Sequence, residues 1–143
     1  MVGPGDASAA SRATAEEVGR LLAEAGAVVV TGGHGGVMEA ASKGAREAGG
    51  TTLGILPGAD RREANEWVSV AVPTGMGEAR NALVVRAADA LVAVGGAWGT
   101  LSEIAFARKT GKHVVGIGSW ELEGVDRFET AAEAVAAVLH TLG

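Results

Sequence analysis

The sequence predicts an α/β fold: a Rossmann-like, doubly wound parallel sheet in a three-layer αβα sandwich, with residues 1–143 forming one nucleotide-binding-type domain. Three observations predict it. Five short β-branched runs lack in/out alternation, which marks strands covered on both faces, as in a parallel sheet. Alanine-rich stretches of crossover length lie between them, implying right-handed βαβ connections. Glycine makes up 23 of 143 residues, more than twice its usual share of about 7%, and it clusters where the apolar runs stop.

Met1-Val2 is all that precedes the strand-to-helix loop Gly3-Pro4-Gly5-Asp6-Ala7-Ser8, so a first strand is either minimal or begins upstream. A helix is expected over residues 14–25, then a strand over 27–31 and a glycine turn at Gly32-Gly33-His34-Gly35-Gly36. A helix over 36–48 and a strand over 51–56 follow. Residues 57–66 are the longest polar interruption and read as a surface loop able to serve as a lid. A strand over 67–72, with Trp67 in the core, leads to Gly75 and Gly77 and a helix over 77–88. The strand 90–95 runs into Gly95-Gly96-Ala97-Trp98-Gly99 and a helix over 100–110. The strand 113–118 and a final helix over 130–142, docked on the sheet by its Ala/Val face, complete the pattern.

Composition narrows the function classes. At 48% hydrophobic and 20% charged, the chain can bury a core. A net charge of −5 argues against non-specific binding to nucleic acid or an anionic membrane, which needs a positive surface. Cysteine is absent, which removes disulfides, thiolate-held zinc, iron–sulfur ligation and thiol catalysis, and fits a cytoplasmic protein. No apolar run approaches the roughly 18 residues of a spanning helix. No metal site is expected, since His34 has no second ligand at metal-binding spacing.

In a parallel sheet the glycine turns fall on the carboxyl edge, where open α/β folds bind ligands. Each turn opens a helix whose free N–H groups and positive dipole end suit a phosphate. The expected cradle is Gly32, Gly33, Gly35 and Gly36 with Gly95, Gly96, Gly99 and Thr100. Dinucleotide and Walker fingerprints do not match: Met38 stands where the last glycine of GxGxxG belongs, and no Gly-Lys-Ser/Thr occurs. In GGAWGTLSE, Thr100 and Glu103 have the spacing of a capping box, a structural role that competes with a role in ligand chemistry. Trp98 and Trp120 are candidates for stacking on a purine or pterin ring, and Asn81 for a ligand hydrogen bond.

The segments GGHGGVMEAASKGA (32–45), GMGEARN (75–81) and VGGAWGTLSEIAFARKTGKHVVGIG (94–118) together resemble the LOG-like (LONELY GUY) superfamily, whose members often carry a lysine decarboxylase label. One branch hydrolyses the N-glycosidic bond of nucleoside 5′-monophosphates, and the resemblance assigns Arg80 and Glu103 to its Arg and Glu. Asn81 stands where that branch has Lys, and Val94 where it has Pro. Both departures are closer to the molybdenum-cofactor-carrier-like branch, which holds a phosphorylated pterin and has no assigned catalysis. The resemblance therefore implies binding of a nucleotide monophosphate or molybdopterin. A phosphoribohydrolase and a nucleotide-sensing module are the alternatives, so whether the chain is an enzyme stays open. It also implies a homodimer or higher even oligomer. Pyridoxal phosphate chemistry is not expected, because Lys43, Lys109 and Lys112 lie away from the glycine-rich edge.

Overall fold

The strand-forming runs pair in two parallel sheets. In the computed structural model, which describes residues 1–143, β1 (Val29–Thr31), β2 (Thr52–Leu56) and β3 (Val70–Pro73) form one, in that order. β4 (Ala90–Val94), β5 (His113–Ile117) and β6 (Asp126–Arg127) form the other. Met1-Val2 joins the two. The Val2 amide donates to the Val92 carbonyl (2.9 Å), its carbonyl accepts from Val94 (3.0 Å), and the Met1 ammonium donates to the Val30 carbonyl (2.9 Å). Val2 thus pairs as a bridge between the two sheets, where the winding direction reverses.

Five helices cover the faces: α1 (Ala9–Glu24), α2 (Val37–Glu47), α3 (Arg80–Ala87), α4 (Trp98–Lys109) and α5 (Ala131–Leu142). Strand periodicity divides the core in two. Val92, Val94, Val115 and Ile117 pack with α1, α2 and α5, while Leu91, Ala93 and Val114 face α3 and α4. This is the expected αβα sandwich. α1 and α2 cross so closely that a Cβ at Gly19 would run into the Ala41 carbonyl, and one at Gly44 into the Glu16 carbonyl.

Several boundaries differ from expectation. α1 begins at Ala9 because Ser8 accepts a hydrogen bond from the Ser11 amide and so caps it. Trp67 lies outside the strand, half-buried in a turn made by Asn65, whose Oδ1 accepts from the Trp67 amide at 2.9 Å. β3 is an edge strand covered on one side only, with Val70 51% and Val72 42% exposed. The two-residue strand β6 was not legible as a strand, since Asp126-Arg127 has no apolar pattern.

Candidate functional site

Because every paired strand is parallel, the turns after β1, β4 and β5 open on the same edge, and there the structure gathers most of the residues singled out above. The two glycine clusters are used differently. Gly32, Gly33 and Gly36 are buried. Gly36, at φ 65°, lies beneath the Pro4–Gly5 backbone, and the Pro4 carbonyl takes the Val37 amide at 3.1 Å. Asn65 closes the other side by donating to the carbonyls of Gly33 (3.2 Å) and His34 (2.8 Å). The loop of residues 57–66 is thereby tied to this turn. Only Gly35 and His34 of the cluster stay half-exposed.

The turn before α4 is open. Gly96 and Gly99 are exposed, and Ala97 caps the helix without any side-chain hydrogen bond. The expected capping box at Thr100 and Glu103 is not formed. α4 starts at Trp98, which makes Thr100 its third residue and leaves Glu103 a full turn inside. Thr100 is 2% exposed, and its hydroxyl has no partner. Glu103 is 7% exposed; burial pushes its carboxyl up to about 7, against the pull of the N-terminal ammonium and Arg80.

Arg80 opens α3 on the far side of this turn. Its Nη1 donates to Asn81 Oδ1, its Nη2 reaches the Gly32 carbonyl at 3.5 Å, and its Nε is buried without a partner. Burial lowers the guanidinium pKa, and Glu103 opposes that shift. A Cβ on Gly32 would sit 2.8 Å from Arg80 Nη2, so glycine there leaves room for the guanidinium. Asn81 steadies Arg80, and its Nδ2 lies 3.6 Å from where a Gly99 Cβ would be. Arg80, Asn81, Gly99, Thr100 and Glu103 therefore bracket one spot. Of the three lysines, Lys112 holds the carbonyls of Val85, Arg86 and Ala88 at the end of α3, and Lys43 pairs with Glu16 at 3.4 Å.

Trp98 is 78% exposed and packs on Trp120, with ring centroids 5.4 Å apart at a 35° tilt. Trp120 Nε1 donates to the Ala97 carbonyl (3.1 Å), and the indole lies over Gly96. Trp120 also lines a cavity of about 510 Å³ at the ends of β5 and β6, beside the glycine turns and not within them.

The SLOG cluster4 family model matches residues 1–141. The chain belongs to this family. An uncharacterized protein of Archaeoglobus fulgidus is 43% identical over 136 residues, covering 94% of this chain and 89% of that protein. Among solved structures, the molybdenum cofactor binding protein of Rippkaea orientalis superposes with a TM-score of 0.94 at 34% identity, covering 99% of this chain and 94% of that one. The molybdenum cofactor carrier protein of Chlamydomonas reinhardtii does so at 0.89 and 36%, with the same coverage. The LOG-like resemblance, its carrier-like branch and the Rossmann-like fold are borne out.

In this SLOG cluster4 chain, sequence reasoning missed Asn65 and Ser119. The Asx turn that Asn65 makes with Trp67 has a local signal, a polar loop residue two positions before the aromatic. Ser119, whose hydroxyl is buried without a partner, has none.

Proposed function

We propose that the chain binds a phosphorylated pterin or nucleotide, with its phosphate at the N-terminus of α4, and that the molybdenum cofactor is the cargo its solved relatives favour. One observation carries this reading: α4 opens uncapped onto solvent, with the unpartnered Thr100 hydroxyl at its first turn and the unpartnered Arg80 Nε across from it. Phosphate accepts from free helix amides, from a hydroxyl and from a guanidinium, so its oxygens complete groups the protein leaves unsatisfied. The amides of Gly96–Thr100 form the main contact, with Gly35 at the margin.

Titration of isolated molybdopterin and of adenosine monophosphate, followed calorimetrically, tests the proposal. We expect one site per chain. Thr100→Val, which removes a hydroxyl–phosphate bond worth about 1.5–3 kcal/mol, weakens binding by about tenfold or more. Binding unchanged in both Thr100→Val and Arg80→Ala would place the ligand elsewhere.

A second reading rests on Glu103, whose carboxyl near 7 beside Arg80 has the poise of a general acid–base group. In nucleoside monophosphate hydrolysis, water adds to the anomeric carbon and the base leaves with a proton. Glu103 would stabilise the cationic sugar or move that proton, while Arg80 holds the phosphate. Release of adenine and ribose 5-phosphate from adenosine monophosphate, abolished in Glu103→Gln, supports hydrolysis; no release leaves the carrier reading. We also place a homodimer contact on the exposed Val70/Val72 face of β3.

A further inference from the structure

The amino edge of the sheet, opposite the glycine turns, carries a groove of about 430 Å³ between β1 and β4, lined almost wholly by apolar residues. Its walls are the edges of two strands. Met1-Val2 bonds to Val30 on one side and to Val92 and Val94 on the other, which holds β1 and β4 two strand spacings apart, about 9.5 Å. Toward the amino edge that same width is the groove. Successive residues of a strand turn their peptide groups to alternate sides. Val29 donates to Thr51 on the β2 side (3.1 Å), so Val28 and Val30 face the groove; Val92 accepts from Val2 (2.9 Å), so Ala90 faces it from β4. Val28 makes no backbone hydrogen bond, and its side chain is 56% exposed at the mouth beside Leu142.

These walls select an occupant. Peptide groups face the groove from both strands, which suits an extended chain bonded on its two sides. Leu22 and Val138 of one core meet it on one face of the sheet and Leu53 of the other core on the opposite face, so its side chains must be apolar in both directions. Val28–Val30 and Ala90–Val92 give it a length of about three residues. Met1, only 5% exposed, closes the inner end, so a chain running parallel to β1 and β4 cannot pass and must stop there. The Met1 ammonium, whose one hydrogen bond is to the Val30 carbonyl, is the opposite charge for a terminal carboxylate.

We propose that this groove binds the C-terminal tail of another protein: about three apolar residues in extended conformation, added as a strand between β1 and β4 and parallel to both, with the terminal carboxylate on the Met1 ammonium. The site is separate from the phosphate site at α4, and neither depends on the other.

Fluorescence polarisation with amino-terminally labelled Gly-Ser-Gly-Val-Ile-Val tests it. One peptide should bind per chain, about tenfold or more tightly than Gly-Ser-Gly-Ser-Asn-Ser, which cannot use the apolar walls, and than its own C-terminal amide, which lacks the charge. Val28→Lys and Leu142→Lys, at exposed positions where a charge is tolerated, should each weaken binding severalfold with the circular dichroism spectrum unchanged. Joining Val-Ile-Val ahead of Met1 should fill the groove from within the chain and abolish binding. Equal affinity for the apolar and polar peptides, or binding that survives the joined segment, overturns the site. Equal affinity for acid and amide overturns the C-terminal tail as its occupant. Competition by decanoate as strong as by the unlabelled peptide would make the groove a fatty-acid site, and loss of a dimer in Val28→Lys or Leu142→Lys would make it a contact between copies; either result overturns the proposal.

Discussion

Glu103 shows how burial and charge set one group's proton. Between its ordinary 4.5 and the raised value of about 7, the folded chain holds a proton that the unfolded chain has released. The contribution is therefore fully present below about pH 4.5 and is lost as pH rises through 7, by about 3 kcal/mol. Replacing Glu103 by Gln should remove this slope. Urea unfolding of both proteins from pH 4.5 to 8 is the measurement, and parallel curves would show that Glu103 does not titrate as described. Arg80 and Glu103 were legible as a pair through the sequence motifs. The role of Asn81 was not, since the guanidinium must fold back on its own neighbour to reach it, and that bend depends on Gly32. Glu78, a conceivable partner for Arg80 by proximity in sequence, makes no ion pair with it.

Among the elements, two segments with one signature behave oppositely. Thr100-Leu-Ser-Glu103 and Thr130-Ala-Ala-Glu133 both fit the capping box, yet only the second forms it. Thr130 precedes α5 in extended conformation and accepts from the Glu133 amide, whereas Thr100 lies already inside α4. Thermal unfolding should separate them. Thr130→Val is expected to cost about 1 kcal/mol, while Thr100→Val, which replaces an unpartnered buried hydroxyl by a methyl, leaves stability unchanged or raises it. The α1–α2 crossing gives a second expectation at this scale. Gly44→Ala drives a methyl into the Glu16 carbonyl and should cost about 2–3 kcal/mol, whereas Gly49→Leu, which meets open space but at φ 80°, tests backbone conformation alone.

At the scale of the whole molecule, Met1-Val2 joins the two half-sheets, and the glycine turns, Arg80 and Glu103 surround that junction. The outer edge is less complete. Val70 and Val72 share a face of β3 with nothing over them in the single chain, apolar area that a twofold mate would cover. Light scattering should give twice the 14.2 kDa of the chain, and Val72→Glu should halve it. A monomeric parent protein would overturn the dimer contact.

The sequence by itself determined the layer architecture, the order of its elements and the edge on which the glycine turns after β1 and β4 gather. Those follow from local periodicity and from the glycine clusters that follow β1 and β4, which neighbouring residues along the chain decide. Only the tertiary structure decided which glycine turn is open, because Pro4–Gly5 and Asn65, distant in sequence, close the other. It alone also decided where α4 begins and that the Ser119 hydroxyl is buried without a partner. Capping and burial are settled by atoms that meet only after folding, and no spacing within a segment records them.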